Sequence, residues 1–189
     1  PDYERSGRTD ETLGPVYGKQ WRNFNGVDQL YNLVYSIITN PDSRRLMVSA
    51  WAPHELKDMA LPPCHYAFQV YINNGVIDLM WQQRSADVFL GLPYDIAMYG
   101  LLLEMLAKGA GLEAGQLIGQ LGDCHLYNNH LDQAKEYRRR AKRALPFLHL
   151  DKGISHNVLG GLNIPDNFEI ELINYNPYPA IKAALSVGK

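Results

Sequence analysis

Residues 66–84, YAFQVYINNGVIDLMWQQR, carry the clearest fold signal in the chain. Two runs rich in aromatic and β-branched residues flank Asn73, Asn74 and Gly75. Strand-forming runs on either side of an Asn-Gly pair are typical of a β-hairpin, because both residues tolerate the positive φ that a tight turn needs. The segment therefore predicts two antiparallel strands joined by a short turn.

Helical patterns lie on both sides of this hairpin. Residues 25–45, NGVDQLYNLVYSIITNPDSRR, have apolar side chains at helical spacing up to Asn40 and Pro41, which end the helix. Residues 94–112, YDIAMYGLLLEMLAKGAGL, are apolar nearly all round. This composition predicts a buried helix that ends near Gly109.

The remaining segments complete an α/β (α+β) pattern. Residues 45–53 predict a strand, residues 115–127 a short strand that runs into a polar cluster, and residues 128–143 an amphipathic, solvated helix. Residues 167–183 predict a late strand followed by a Pro-rich turn. Since no linker interrupts the pattern, we expect a single domain over residues 1–189.

Composition excludes several classes of protein. The chain has 189 residues, 46% of them hydrophobic, and a net charge of −2, so it lacks the polybasic footprint of proteins that bind nucleic acid or membranes. No apolar run has the length of a membrane span, and the first residues do not resemble a signal peptide. The spacing of Cys64 and Cys124 matches no zinc site, which favours two reduced thiols in the cytoplasm over one disulfide.

Cys64 is the first candidate for chemistry. In LPPCHYAFQVYI, residues 61–72, the two prolines fix a turn, so the cysteine lies at the mouth of a strand. It is either a small buried apolar residue or a nucleophile, and a reactive thiolate requires nearby positive charge. Arg44, Arg45 and Arg84 are candidates for that charge. Together with Ser85 they would form a phosphate clamp, although arginines at such positions are often only solvated.

Three further polar residues are candidates for contact with a ligand, and two of them have a second interpretation. His125 and Tyr127 are two residues apart on an extended segment, so they face the same side and are candidates to bind a sugar hydroxyl. His125 is equally well explained as a core histidine. Asp95 follows Pro93 at the start of a helix, where a carboxylate suits the helix dipole. The alternative is that Asp95 recognises a substrate.

Taken together, these motifs resemble the thymidylate synthase family. The segments LGPVYGKQWR, PDSRRLMVSAW, LPPCH, QRSADVFLGLP, GDCHLYNNH and YNPYPAIKA occur in the family's order and approximate spacing. The resemblance extends over about residues 13–187. It implies the family's fold, a large mixed β-sheet packed by helices, with a homodimer formed sheet to sheet.

The resemblance also implies a reaction. Cys64 would be the nucleophile that adds to C6 of a pyrimidine nucleotide, after which C5 takes a one-carbon unit from 5,10-methylenetetrahydrofolate, the implied co-substrate. Tyr17 would belong to the family's proton-relay network. Asp95 would complete the catalytic set by contacting the base.

Binding residues follow from the same resemblance. In the implied nucleotide site, Arg84 and Ser85 would bind the phosphate, and Arg44 and Arg45 would reach the partner's phosphate site across a dimer. His125 and Tyr127 would bind the sugar, and His65 and Gln83 would lie beside the nucleophile and the base. The implied folate site contains Asp87, which would face the pterin and border the nucleotide, with Leu90, Gly91, Tyr94 and Ser186.

Asp95 departs from the family's usual pattern. Thymidylate synthases have asparagine here, in a GLPxNIA motif, and an asparagine amide complements N3–H and O4 of uracil. A carboxylate only accepts, which suits the 4-amino group of cytosine and leaves two acceptors facing each other at uracil O4. Asp95 therefore predicts hydroxymethylation of dCMP, as in the family's phage deoxycytidylate hydroxymethylases, with reductive methylation of dUMP as the alternative.

The two ends of the chain bear on turnover. The family closes its site with a C-terminal segment that residues 184–187 resemble, and here Ser186 stands where a small apolar residue is common. Family chains also carry an N-terminal portion ahead of the position of Pro1, including a catalytic glutamate, which has no match here. A non-catalytic nucleotide-binding remnant is therefore the alternative of another class. We expect the protein in the cytoplasm, which would be that of a host if the protein is phage-encoded.

Overall fold

One mixed sheet organises the chain. The computed structural model describes residues 12–150 and 168–186. Strands β1 (Met47–Ser49), β2 (His65–Asn73), β3 (Val76–Asp87) and β4 (Glu113–His125) form a four-stranded sheet in that order. The pairs β1–β2 and β2–β3 are antiparallel, and β3–β4 is parallel. The mixed sheet confirms the fold class that the sequence predicts.

The predicted hairpin is confirmed in β2 and β3. Asn73 pairs with Val76, so Asn74 and Gly75 alone form the loop, with φ of 50° and 81°. Two consecutive residues with positive φ match the twist of the flanking strands. The turn fixes the register of β3, and with it the positions of the polar residues at the end of that strand.

Four α-helices accompany the sheet in the described part of the chain: α1 (Gly18–Arg22), α2 (Gln29–Thr39), α3 (Leu92–Ala110) and α4 (Leu131–Arg139). Single 3₁₀ turns lie at Leu56–Asp58 and Asn128–His130. Helix α2 begins after a side-chain cap from Asp28, and its end before Pro41 is as predicted. Helix α3 ends at Ala110, one residue beyond the predicted Gly109, and Gly111 caps it in the left-handed conformation. None of these helices combines the length and the apolar character that crossing a membrane requires.

The core lies between one face of the sheet and helices α2 and α3. It is built from alternate residues of the strands and from the apolar stripes of the two helices. Its buried members include Leu30, Leu33, Val34, Ile37, Val48, Phe68, Val70, Ile77, Leu79, Trp81, Tyr99, Leu102, Leu103 and Leu106. This packing holds β3 and α3 rigidly against each other, and both elements contribute to the cavity described below.

Helix α3 is less buried than its composition predicts. Tyr94, Ile96 and Met98 are exposed by 77%, 46% and 37%, and the continuous core contacts begin at Tyr99. The expectation of a helix buried all round is therefore wrong for its first two turns. This end of α3 borders a cavity instead of lying on the sheet.

Strand β4 is longer than the predicted short strand. It has 13 residues and pairs with β3 almost from end to end. Glycines permit this pairing although they weaken strand propensity, because a Cβ at Gly115 or Gly119 would lie 2.2 Å from the Asp78 carboxylate or 2.5 Å from the Trp81 indole. The close approach of the β3 side chains therefore requires glycines at these positions. The same glycines weaken the strand pattern, which is why β4 is longer than the sequence predicts.

A second, two-stranded antiparallel sheet lies late in the chain. It pairs β5 (Phe147–Leu150) with β6 (Ile170–Ile173). The sequence predicts β6 and not β5. The amphipathic helix is also shorter than residues 128–143, since α4 covers Leu131–Arg139 and follows a 3₁₀ turn. The single domain over residues 1–189 stays a prediction.

Candidate active site

A cavity of about 710 Å³ opens where β3 and β4 end and β2 begins. This convergence follows from the topology: β4 runs parallel to β3, so Asp87 and His125 are paired at their ends, and β2 starts opposite Gln83. The lining residues are Tyr17, Leu61, Cys64, His65, Gln83, Arg84, Ser85, Asp87, Leu90, Gly91, Asp95, Asp123, His125, Tyr127, Leu185 and Ser186. Its size is in the range of cavities that bind small organic ligands.

The backbone of Cys64 is held from both sides. Its N–H donates to the Tyr17 hydroxyl at 3.0 Å, and its carbonyl accepts from the Arg84 N–H at 2.8 Å. The residue is half-buried and carries a thiol, and Cys124 is also a thiol. The sequence prediction that Cys64 lies at a strand mouth facing a pocket is confirmed, because β2 begins at the next residue.

The Arg84 guanidinium sits beside this turn. Its Nε donates to the Pro63 carbonyl at 3.0 Å and its Nη2 donates to the Pro62 carbonyl at 2.8 Å. A guanidinium has five N–H donors, so this anchoring leaves others for a ligand. Fixed positive charge close to a thiol favours the thiolate and also attracts an anionic group.

Tyr17 has a strained backbone and a buried ring. Its φ of 29° is unusual for a residue with a side chain, and strain of this kind persists where the surroundings enforce it. The ring stacks on His65 with centroids 4.2 Å apart. Burial raises the pKa of Tyr17 to about 12, so its hydroxyl stays protonated at neutral pH and has a proton to donate into the cavity.

Gln83 connects β3 to the first turn of α3. Its Oε1 accepts from the Trp81 indole N–H at 3.0 Å, and its Nε2 donates to Asp95 Oδ2 at 2.8 Å and to the Ser85 carbonyl at 2.9 Å. The Gln83 side chain is buried, with only 3% of the residue exposed. Asp95 is thereby fixed by a neutral donor that the core holds in place.

The second oxygen of Asp95 faces His65. Oδ1 lies 3.9 Å from His65 Nε2, while Nδ1 of the same ring is 2.8 Å from the Tyr99 hydroxyl. Burial lowers the pKa of His65, although Asp95 opposes this shift, and burial raises the pKa of Tyr99. Tyr99 therefore keeps its proton, and in the tautomer in which it donates to Nδ1, the neutral imidazole carries its own proton on Nε2, on the side of Asp95.

Both interpretations of Asp95 from the sequence have structural support. Its N–H bonds to the Gly91 carbonyl at 3.1 Å, so it lies in the first turn of α3, where a carboxylate suits the helix dipole. Its side chain also lines the cavity. Asp87 likewise combines two positions: it lines the cavity while its Oδ1 accepts from the N–H groups of Phe89 and Leu90.

The opposite side of the cavity is more open. His125 and Tyr127 pack edge to face, with centroids 4.9 Å apart, and both line the cavity as predicted. The C-terminal segment is attached next to them. Ser186 Oγ lies 2.7 Å from Asn129 Nδ2 and 3.0 Å from Asn129 Oδ1, and His130 Nε2 donates to the Ala184 carbonyl at 2.7 Å.

The cavity has two walls that differ in how deeply they are buried. The buried wall consists of Tyr17, Cys64, His65, Gln83 and Asp95, and the open wall consists of Asp123, His125, Tyr127, Leu185 and Ser186.

Three predicted residues lie outside the cavity lining. Arg44 and Arg45 are exposed between α2 and β1, and the Tyr94 side chain is exposed at the start of α3. Their proposed contacts, to a partner's phosphate site and to a folate, stay predictions. Val187, the last residue of the expected closing segment, lies outside the described residues.

Sequence reasoning missed several participants. Leu61, Asp123 and Leu185 line the cavity without having been singled out. Asp123 had a usable signal, since it lies two residues before His125 on the same strand and so faces the same side. Trp81 and Tyr99 act behind the lining, and no local pattern distinguishes them from ordinary core aromatics.

Comparisons with known proteins point to one family. The family model described as Thymidylate synthase matches residues 3–187. The thymidylate synthase of Mycoplasma mobile is 51% identical over 177 residues, covering 93% of this chain and 59% of that protein. A probable thymidylate synthase of Escherichia phage T5 is 47% identical (98% and 68% covered), and the Coxiella burnetii thymidylate synthase 48% (93% and 66%). The chain thus spans about three fifths to two thirds of the length of these relatives.

Proposed function

The chain belongs to the thymidylate synthase family, and from that premise we propose that the protein transfers a one-carbon unit to C5 of a pyrimidine deoxynucleotide monophosphate. The observation that carries the proposal is the seat of Cys64, between the Tyr17 hydroxyl and the Arg84 backbone at the mouth of the cavity. The family uses methylenetetrahydrofolate as its co-substrate, and we propose the same for this protein.

The chemistry assigned to Cys64 is covalent catalysis. Its thiolate adds to C6 of the pyrimidine ring, which makes C5 nucleophilic enough to attack the one-carbon unit. Loss of the C5 proton and departure of the tetrahydrofolate nitrogen leave an exocyclic methylene at C5. Addition of hydride from the folate gives a methyl group, addition of water gives a hydroxymethyl group, and departure of the thiolate restores the ring. The protonated Tyr17 hydroxyl, which contacts the Cys64 backbone, is placed to take part in these proton transfers.

The nucleotide's phosphate and sugar have separate binding groups. Arg84, anchored to the Pro62 and Pro63 carbonyls, and Ser85 are the proposed phosphate ligands. His125 and Tyr127, on the open wall, are the proposed ligands of the sugar hydroxyl. Their spacing along β4 and its end supports this, because both side chains reach the same cavity.

The proposed folate site adjoins the nucleotide. Asp87, Leu90 and Gly91 line the cavity where α3 begins, and Ser186 lines it from the C-terminal segment. The co-substrate supplies the one-carbon unit and, for a methyl product, a hydride. What the chain contributes is a carboxylate with one oxygen fixed on backbone N–H groups, together with a segment that narrows access to water.

A homodimer completes the proposal. The sheet face opposite the helices is made of residues that alternate with core residues along the strands. On this face Met47 is 52% exposed, Tyr71 63% and Ile118 41%. An exposed apolar face of this kind favours association. Arg44 and Arg45, exposed at one end of β1, are proposed to reach the phosphate site of the second copy.

For the base, we take dUMP as the first candidate and methylation to dTMP as the reaction. The names of the relatives, thymidylate synthase in bacteria and probable thymidylate synthase in a phage, support this choice. Asp95 favours a second candidate, hydroxymethylation of dCMP. Its Oδ2 accepts from Gln83 Nε2, and its Oδ1 lies 3.9 Å from His65 Nε2 beside the cavity, so Oδ1 is placed as an acceptor for a 4-amino group.

One experiment tests the proposal and separates the two bases. The full-length protein is given C5-tritiated dUMP or dCMP with methylenetetrahydrofolate, and tritium release to water is followed for the unmodified protein and for Asp95→Asn. Release from dUMP establishes thymidylate synthase activity. Preferential release from dCMP, shifted toward dUMP by the substitution, establishes the cytosine enzyme. Nucleotide binding without release from either would indicate a binding protein without turnover and refute the proposed reaction.

A further inference from the structure

We propose that Trp81 is a positioning residue for base recognition: its indole N–H holds the Gln83 amide in one orientation and so determines which atom residue 95 presents to the base. The inference rests on the proposed function, because it concerns the same nucleotide site. Trp81 lies behind the cavity and is not part of its lining, so its influence must pass through Gln83.

Three contacts agree on the orientation of the Gln83 amide. An indole N–H can only donate, so the atom 3.0 Å from Trp81 must be the amide oxygen. The Ser85 carbonyl and Asp95 Oδ2 can only accept from it, so the atom 2.9 Å and 2.8 Å from them must be the amide nitrogen. A flipped amide would set donor against donor at Trp81 and acceptor against acceptor at the other two partners.

This fixed orientation has a consequence for residue 95. Gln83 Nε2 donates to residue 95, so the atom of residue 95 that faces Gln83 must be an oxygen, whether the residue is aspartate or asparagine. The other terminal atom is then the one beside His65 and the cavity. In this chain that atom is Asp95 Oδ1, an acceptor. With asparagine it would be the NH2 group, a donor.

The Trp81 indole therefore turns a one-atom difference at position 95 into a defined difference in hydrogen bonding. Without the indole N–H, the Gln83 oxygen loses its dedicated donor, and the amide has less to lose by flipping. An asparagine at position 95 would then be free to flip as well. Base discrimination would weaken although every residue that contacts the nucleotide is unchanged.

The indole occupies a seat built for it. Its six-membered ring lies against Gly119 on the neighbouring strand, where a Cβ would be only 2.5 Å away. Its other neighbour is the Tyr99 ring, stacked at 5.3 Å with an interplanar angle of 12°. Trp81 is 4% exposed, so its N–H needs a protein partner, and Gln83 Oε1 is that partner.

The test is a comparison of base selectivity in the full-length protein. The ratio of kcat/KM for dCMP to that for dUMP is measured for the unmodified protein and Asp95→Asn, and again for both in a Trp81→Phe background. Phenylalanine retains an aromatic ring against Tyr99 and removes the N–H. We expect the change in ratio caused by Asp95→Asn to shrink about five- to tenfold when Trp81 is replaced, the worth of about one hydrogen bond.

Two further variants control for packing. Leu79→Val removes a similar volume from the same face of β3 without removing a hydrogen bond, and it should leave the change in ratio caused by Asp95→Asn at its full size. Gly119→Ala keeps the indole and displaces it from its position, and it should shrink that change as Trp81→Phe does. If Leu79→Val shrinks the change as much as Trp81→Phe does, the effect is general loosening of the core and the inference is overturned.

The remaining outcomes separate this inference from the function it rests on. If Asp95→Asn changes the ratio equally in both backgrounds, Trp81 has no positioning role, while the proposed reaction stands. If Asp95→Asn leaves the kcat/KM ratio unchanged in the protein that retains Trp81, residue 95 does not discriminate between the bases. The inference is then overturned together with the assignment of residue 95 to base recognition. If neither nucleotide reacts in the unmodified protein, the proposed function itself has failed.

Discussion

The two walls of the cavity are built in different ways. On the buried wall, His65 and Gln83 are 8% and 3% exposed and the Asp95 side chain 18%, and hydrogen bonds to core residues fix all three. On the open wall, the His125 and Asp123 side chains are 27% and 77% exposed and Leu185 is 64% exposed. The first wall is complete within the core of one chain, whereas the second depends on surface contacts.

This difference indicates which residues discriminate between bases and which residues admit and release ligands in the proposed reaction. Groups that must discriminate donors from acceptors need fixed orientations, and burial against the core provides them. Groups that admit and release ligands need freedom to move, and exposed contacts provide it. Substitutions on the buried wall should therefore change turnover and selectivity strongly, and substitutions on the open wall should change affinity modestly.

The largest effect is expected from Cys64→Ser on the buried wall. A hydroxyl is a far weaker nucleophile than a thiolate, so turnover should fall by about 10⁴-fold or more, as when other enzymes lose a nucleophile. Nucleotide affinity should change little, because the backbone contacts of residue 64 are retained. Steady-state kinetics with calorimetric binding as the control measures both. Residual turnover above a hundredth of normal would remove Cys64 from the mechanism.

Tyr17→Phe should have the next largest effect. It removes the hydroxyl that accepts the Cys64 N–H and the proton that Tyr17 offers to the cavity, and kcat should fall about 10- to 100-fold. Because the pKa of Tyr17 is about 12, the pH–rate profile between pH 6 and pH 9 should keep its shape in both proteins. A lost ionisation in that interval would show that Tyr17 titrates there and would contradict the assignment.

His65 should make stability fall toward acid pH. Burial lowers its folded-state pKa below the ordinary value of 6.5, so the unfolded chain binds more protons at this site. Its contribution to stability is complete above about pH 6.5 and is lost as the pH falls below that value. Urea unfolding at pH 7.5 and pH 5.5 should show a smaller decline for His65→Gln than for the unmodified protein. Equal declines would mean that His65 does not carry this dependence.

The smallest effect is expected from Ser186→Ala on the open wall. The Ser186–Asn129 contact is exposed and is worth about 1 kcal/mol at most, so KM for the folate should rise about two- to fivefold while kcat stays close to normal. Asn129→Ala should produce the same rise, and the double variant should add little to it. Additive effects would show that the two residues act independently, and an unchanged KM would show that the contact does not hold the closing segment.

The sequence predicted correctly the elements whose signals lie within their own residues, and it did not predict the features that depend on contacts with distant residues. The hairpin was correct because Asn74 and Gly75 specify their own turn, and α2 was correct because its apolar residues recur at helical spacing and Asn40 and Pro41 mark its end. The length of β4 was not predictable, since its glycines are required by side chains on the neighbouring strand. The exposed start of α3 was missed for a related reason: an apolar helix does not reveal which of its turns the sheet covers.

The candidate site was predicted where motifs carry its chemistry. Cys64, Arg84, His125 and Tyr127 were all expected at a common pocket and do line one cavity. The residues behind the lining could not be foreseen. Trp81 acts through an orientation that depends on its seat against β4, a contact far along the chain that no local pattern contains.

The central claim, that Cys64 adds to the pyrimidine ring, has a direct test. The full-length protein is incubated with methylenetetrahydrofolate and the 5-fluoro analogue of dUMP or dCMP, in which fluorine replaces the C5 proton that must leave. The account predicts a stable adduct on the peptide containing Cys64, seen by mass spectrometry and lost in Cys64→Ser. Both analogues binding with no mass added to Cys64 would contradict it.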